Sequence, residues 1–120
     1  FEEICRQYLI RRNKAGLNQP AFFRIGRYYY DLPRERRNGE FDIVTEDAKG
    51  YVFYEAKFRM RPMSKKQIEE EIAQVRSSPL TTERFGFFSR SGFAEEAGSS
   101  DIIRLFTLAD IYADLMGTGV

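Results

Sequence analysis

The chain has 120 residues, 42% hydrophobic and 31% charged, which suits one globular domain, excludes disorder for most of the chain and is too short for two independent cores. There is no His and Cys5 stands alone, so Ser-His-Asp triads, Cys-His dyads, His/Cys zinc sites and structural disulfides are excluded, and any chemistry falls to carboxylates, Lys, Arg, Tyr and Ser. The net charge of +1 conceals a split: residues 1–66 hold 15 basic and 9 acidic side chains (+6) and residues 67–120 hold 4 and 9 (−5), an asymmetry that points to an anionic partner on one side.

Residues 1–14 set Phe1, Ile4, Cys5, Tyr8 and Leu9 on one stripe at helical spacing, predicting an amphipathic helix that stops at 13–18 around Gly16. Glu2 falls at the edge of that stripe and Glu3 faces water. Residues 20–30 (PAFFRIGRYYY), 40–46 (EFDIVTE) and 51–58 (YVFYEAKF) are strand-length apolar runs. The Pro- and Arg-rich stretch 31–39 reads as a loop, and Asp47-Ala48-Lys49-Gly50 is short enough to force an antiparallel hairpin.

Ser64 opens a second helix as N-cap, with Gln67 completing a capping box, Met63 placed to pack on Ile68, and Ile68, Ile72 and Val75 forming the buried stripe. That helix ends near 77–79. Strands are expected at 84–89 and 102–106, separated by a loop at 92–100, and Thr107 with Asp110 caps a last helix running to about Gly117. The order αβββαββα describes an α/β or α+β fold, a mixed sheet of about five strands flanked by helices.

Charges laid on this pattern single out Glu2, Asp42, Glu55 and Lys57. Alternation puts Glu55 and Lys57 on one face of their strand, and a tight turn at 47–50 brings residues near 42 opposite residues near 55. Two carboxylates this close repel unless a cation lies between them. Lys57 offers one positive charge, whereas a hard, oxygen-seeking ion such as Mg²⁺ offers two and needs no His. The plainer alternative is a solvent-side ion-pair cluster without function.

Basic residues gather beside this group. Arg59, Arg61, Ser64, Lys65 and Lys66, leading into a helix N-terminus, form a candidate nucleic-acid-binding edge, with a solvated basic loop as the competing account. A second basic-aromatic zone comprises Arg24, Arg27, Arg34, Arg36 and Arg37 with Tyr28, Tyr29 and Tyr30, several of whose rings are expected in the core. Gln67 could reach the acidic group, but its capping position already accounts for it. No GxxxxGK[ST], GxGxxG or GxSxG motif is present.

An acidic residue on the first helix (FEEI, 1–4), Asp in the second strand (GEFDIV, 39–44) and Glu-Ala-Lys in the third (YEAKF, 54–58) resemble the PD-(D/E)XK nuclease superfamily. The resemblance runs from Phe1 to about Phe106. It implies a restriction-endonuclease-like core in which Asp42, Glu55 and the Ala56 carbonyl ligate Mg²⁺ or Mn²⁺. Lys57 would then orient the attacking water and stabilise charge on the phosphate, while Glu2 would hold a second metal or a water. FEEICRQYL, RIGRYYY and the GEFDIV…EAK pair are also similar to the domain of unknown function at the C-terminal end of archaeal-type ATPases.

That likeness, and the absence of Met at position 1, lead us to expect a single nuclease-like domain at 1–120 cut from a longer ATPase. The expected partners are DNA and the ATPase domain of the same protein, with homodimerisation left open. No apolar run reaches the roughly 18 residues of a membrane span and no leader is visible, and the single unpaired Cys5 fits a reducing cytosol, so a cytoplasmic location is expected. The functions in contention are a metal-dependent deoxyribonuclease, an inactive nuclease-fold module that binds nucleic acid or protein, and a structural domain with an ion-pair network.

Overall fold

Apolar runs, with side-chain caps at the starts of two helices, produce nine elements in a computed structural model that describes residues 1–18 and 20–117. In chain order they are α1 (Glu2–Lys14), β1 (Phe22–Leu32), a 3₁₀ turn (Pro33–Glu35), β2 (Arg37–Asp47), β3 (Gly50–Lys57), α2 (Lys65–Arg76), β4 (Phe85–Ser89), β5 (Ile103–Thr107) and α3 (Leu108–Gly117). The five strands form one sheet in the order β1-β2-β3-β4-β5. β1, β2 and β3 run as an antiparallel meander, and β4 and β5 add in parallel after α2 crosses over. The fold is a mixed α+β sheet flanked by helices, as the residue pattern indicates.

Each face of the sheet carries its own core. On one, Val44, Phe53, Phe85 and Phe87 pack against Ile68, Ile72 and Val75 of α2. On the other, Ile43, Val52, Tyr54, Phe88 and Phe106 pack against Cys5, Tyr8 and Leu9 of α1 and Ile111 of α3. β4 is buried along its whole length because both faces are covered, which is why FGFFS reads as a continuous apolar run and not as an alternation. Burial lifts the Cys5 thiol to about 12, so this lone cysteine is a core residue and not a nucleophile.

The capping chemistry holds at both predicted helix starts. Ser64 Oγ accepts from the Gln67 backbone N–H at 3.2 Å while Gln67 Oε1 accepts from the Ser64 N–H at 2.9 Å, and Thr107 and Asp110 repeat the exchange at 3.2 and 2.7 Å. Met63 is buried in the same core as Ile68. The 47–50 hairpin is also as expected, with Asp47 opposite Gly50 and Asp47 Oδ1 accepting from the Lys49 N–H at 2.8 Å.

Two expectations need correction. Ile4 is about half exposed, so the stripe of α1 is narrower than its spacing implied. The 31–39 stretch is not a loop. β1 and β2 extend into it, pairing Tyr30 with Gly39 and Leu32 with Arg37, and only Pro33–Glu35 turns, with Arg36 in the left-handed region at φ 54°. Composition misled because Asn38-Gly39 looks like a turn. Gly39 is instead there to let the Tyr30 ring cross it: a Cβ at that position would lie 2.7 Å from the ring.

Candidate active site

Strand pairing brings the site together. β2 and β3 pair in a register that runs from Asp47↔Gly50 to Ile43↔Tyr54, and one further step sets Asp42 beside Glu55. On its other side β2 carries an irregularity: Gly26 faces Val44 and Tyr28 faces Phe41, so Arg27 alone spans both Asp42 and Ile43. This is a β-bulge, with one extra residue in β2. It explains why Phe41 and Val44, three residues apart, share one core, and it releases Asp42 from strict alternation at the point where the acidic residues meet.

Four carboxylates and one ammonium gather there. Glu2, at the first turn of α1, lies beside Asp42 and is raised above the ordinary carboxylate range, first by desolvation and then by its interaction with the Asp42 side chain. Glu55 is raised as well, first by burial, then by the charge of Glu71, with Asp42 contributing less and Lys57 opposing. Lys57 Nζ lies 3.4 Å from Glu55 Oε1 and 3.0 Å from Glu71 Oε1, all three side chains being at most 28% exposed. Arg27 closes the outer side, 3.6 Å from Glu2 and 3.3 Å from Glu40. A groove of about 420 Å³ opens over Asp42, Glu55, Lys57 and Glu71, with Tyr30 and Gln74 on its walls.

Glu2, Asp42, Glu55 and Lys57 are therefore brought together at one end of the meander. One detail differs from the residue pattern. Lys57 bridges Glu55 and Glu71, not Asp42 and Glu55, because α2 supplies a nearer carboxylate. Glu71 was missed from the pattern. Its signal was present, three residues after Ile68 and four before Val75, on the flank of the buried stripe.

Ala56 has its partly buried methyl against the α1 side and its backbone opposite Phe88 in the parallel ladder. Arg59, Arg61, Lys65 and Lys66 are exposed at the end of the sheet where β3 delivers Lys57, while the Ser64 hydroxyl is taken by its cap. Gln67 is likewise held in the cap. Of the second basic zone, Tyr28 and Tyr30 pack on the core and Tyr29 projects outward. Arg24 pairs with Glu46, and Arg37 with Glu35.

The donor set at the groove is of hard oxygen type. Among the described residues no group of three or more His, Cys, Asp or Glu side chains is arranged to hold a metal ion. The carboxylates of Glu40, Asp42, Glu55 and Glu71 line the groove. Desolvation first, and neighbouring carboxylates second, raise both Glu2 and Glu55 above the ordinary carboxylate range.

A mixed α+β domain with an acidic groove at the bulged end of its meander is the class that fold and site define. By its match over residues 1–72, more than half of its length, the chain belongs to the DUF234 family, archaeal and bacterial proteins of unknown function. The solved structure of AF1548, a protein of unknown function, shares the fold with a TM-score of 0.63 at 18% identity, covering 97% of this chain and 66% of that one. The chain thus spans just under two thirds of that relative. The DNA modification-dependent restriction endonuclease AspBHI aligns with a TM-score of 0.46 at 18% identity, over 80% of this chain and 23% of that one. No curated protein matches. Among the described residues no helix is long and apolar enough to cross a membrane.

Proposed function

We propose that this domain hydrolyses phosphodiester bonds in DNA with a divalent metal, as a nuclease of PD-(D/E)XK type. The observation that supports this most is the double reach of Asp42. Freed by the bulge, it meets Glu2 on one side and neighbours Glu55 on the other, with Lys57 3.4 Å from Glu55.

Asp42 and Glu55, with the Ala56 carbonyl, are the residues to hold Mg²⁺ or Mn²⁺, which when bound would supply Lewis acidity toward a phosphate oxygen. Lys57 orients the attacking water and offers its ammonium to charge developing on the phosphate. Glu71 fixes that ammonium from the far side, acting as a positioning residue. Glu2 holds a water or a second ion. Arg59, Arg61, Lys65 and Lys66 draw in the phosphate backbone. The likeness to the domain of unknown function at the C-terminal end of archaeal-type ATPases supports a further reading, that the domain is carried by such an ATPase.

The test is cleavage of DNA with Mg²⁺ or Mn²⁺. The wild type is expected to cut, and Asp42→Asn and Lys57→Ala to lose activity while keeping the wild-type far-UV spectrum. A second reading, a nucleic-acid-binding module without catalysis, draws on a different observation: Lys57 is tied between two glutamates, and among the described residues no three acidic side chains are arranged to hold an ion. Under that reading these variants keep salt-sensitive DNA affinity and no protein cuts with either ion.

A further inference from the structure

Next to the acidic groove lies a small apolar surface that the proposed chemistry does not use. Phe58 is 61% exposed and Met60 81% exposed. Their segment is not loose. The Arg90 N–H donates to the Lys57 carbonyl at 3.1 Å, the Met63 N–H to the Gly92 carbonyl at 2.9 Å, and the Ala94 N–H to the Met63 carbonyl at 2.8 Å, while Ser91 Oγ donates to the Arg59 carbonyl. A rigid backbone thus holds two large apolar side chains out in water.

Scattered exposed hydrophobic residues need no explanation. Here a cation organises them. The Arg90 guanidinium sits 4.5 Å from the centre of the Phe58 ring and Nη1 donates to Met60 Sδ at 3.4 Å. The Phe1 ring meets Phe58 at 5.3 Å, tilted by 44°. Phe58 directly follows Lys57, and Phe1 directly precedes Glu2, so each ring is one residue from a member of the acidic cluster. Residues 57–66 contain five basic side chains and no acidic one.

We propose that Phe58, Met60 and Arg90 form a stacking platform for an unpaired nucleobase, and that the substrate is DNA with a single-stranded stretch beside the bond to be cut. The ligand must offer phosphates to Arg59, Arg61, Lys65 and Lys66 and a flat apolar surface to Phe58 and Met60. An unstacked nucleotide offers both, whereas a duplex keeps its base faces stacked inside. The inference rests on the nuclease reading only in naming that site's substrate.

Fluorescence anisotropy in metal-free buffer tests it, with a labelled single-stranded oligonucleotide and with the same sequence as a duplex. The wild type is expected to prefer the single strand. Phe58→Ala should weaken single-strand binding by about tenfold, with duplex binding unchanged and Phe58→Trp restoring affinity. A 2-aminopurine in the strand should change its emission on binding the wild type and not Phe58→Ala. Phe58 lies at the surface, so thermal unfolding of the variant should match the wild type.

Equal affinity for both DNA forms, single-strand binding indifferent to Phe58→Ala, or Phe58-dependent capture by phosphatidylserine vesicles in place of DNA would each overturn the proposal. Metal-dependent cleavage with Phe58-independent binding would overturn the platform alone. Phe58-dependent binding in a protein that never cuts would overturn the nuclease reading alone.

Discussion

The Lys57 ammonium lies 3.0 Å from the Glu71 carboxylate, closer than the 3.4 Å to Glu55 on its own strand. The cation of the E-A-K segment is thus held by α2 as well as by β3, and Glu71 also adds negative charge where Glu55 already has an excess. Glu71→Gln should therefore bring the Glu55 pKa down toward its ordinary value, since Glu71 is the largest of the nearby charges that raise it. Carboxyl ¹³C shifts followed against pH would show this; a Glu55 titration unmoved by Glu71→Gln would disprove the coupling.

The same crowding predicts how stability depends on pH. Glu55 and Glu2 both have folded pKa values raised above 4.5, mainly by desolvation. An acid raised in this way contributes its full stability below the unfolded pKa and loses it as pH climbs through the folded one. Without metal, the contribution of Glu55 and Glu2 to the melting temperature should therefore fall as pH rises out of the carboxylate range. Glu55→Gln should flatten that fall, and Mg²⁺ should offset it in the wild type only. Thermal melts from about pH 4.5 upward, with EDTA or with Mg²⁺, measure all three effects.

Gly86 on β4 leaves room for the Tyr54 ring. A Cβ there would stand 2.4 Å from two ring atoms, and Tyr54, only 5% exposed, is packed against Phe88 and cannot swing away. Gly86→Ala should destabilise the fold by about 1–3 kcal/mol through overpacking. Adding Tyr54→Leu should recover much of the loss. Urea unfolding of the single and double variants gives the comparison, and simple additivity would argue against the clash.

Asp47 is a buried carboxylate held by Arg84 at 2.9 and 3.0 Å, which ties the β2–β3 turn to the start of β4. Removing one member of a buried pair strands the other, so Asp47→Ala should cost about 3 kcal/mol. Cleavage by the folded fraction should be unaffected, because Asp42 lies at the other end of the β2–β3 pairing. Denaturant melts alongside a DNA cleavage assay would separate the two effects.

The residue pattern revealed most of the fold because its signals were local. Capping at Ser64 and Thr107, the short 47–50 turn and the apolar runs need only neighbours within a few residues. The same turn made the Asp42–Glu55 pairing legible, since register follows from hairpin length. Three features stayed hidden. The bulge at Asp42 depends on how Arg27 pairs across two strands. Gly39 resembles a turn glycine until Tyr30 is seen to lie over it. The choice of Glu71 over Asp42 as partner for Lys57 requires the placement of α2 on the sheet, which its stripe orients but does not locate.

The central claim is that Asp42 and Glu55 together bind a divalent ion. Calorimetric titration with Mn²⁺ tests it directly in wild type, Asp42→Asn and Glu55→Gln. The account predicts saturable binding to the wild type, with proton release as the raised carboxyls ionise, and a loss of about tenfold or more in affinity in each variant. No heat of binding in the wild type, or binding equally strong in both variants, would contradict it and leave the cluster as an ion-pair network.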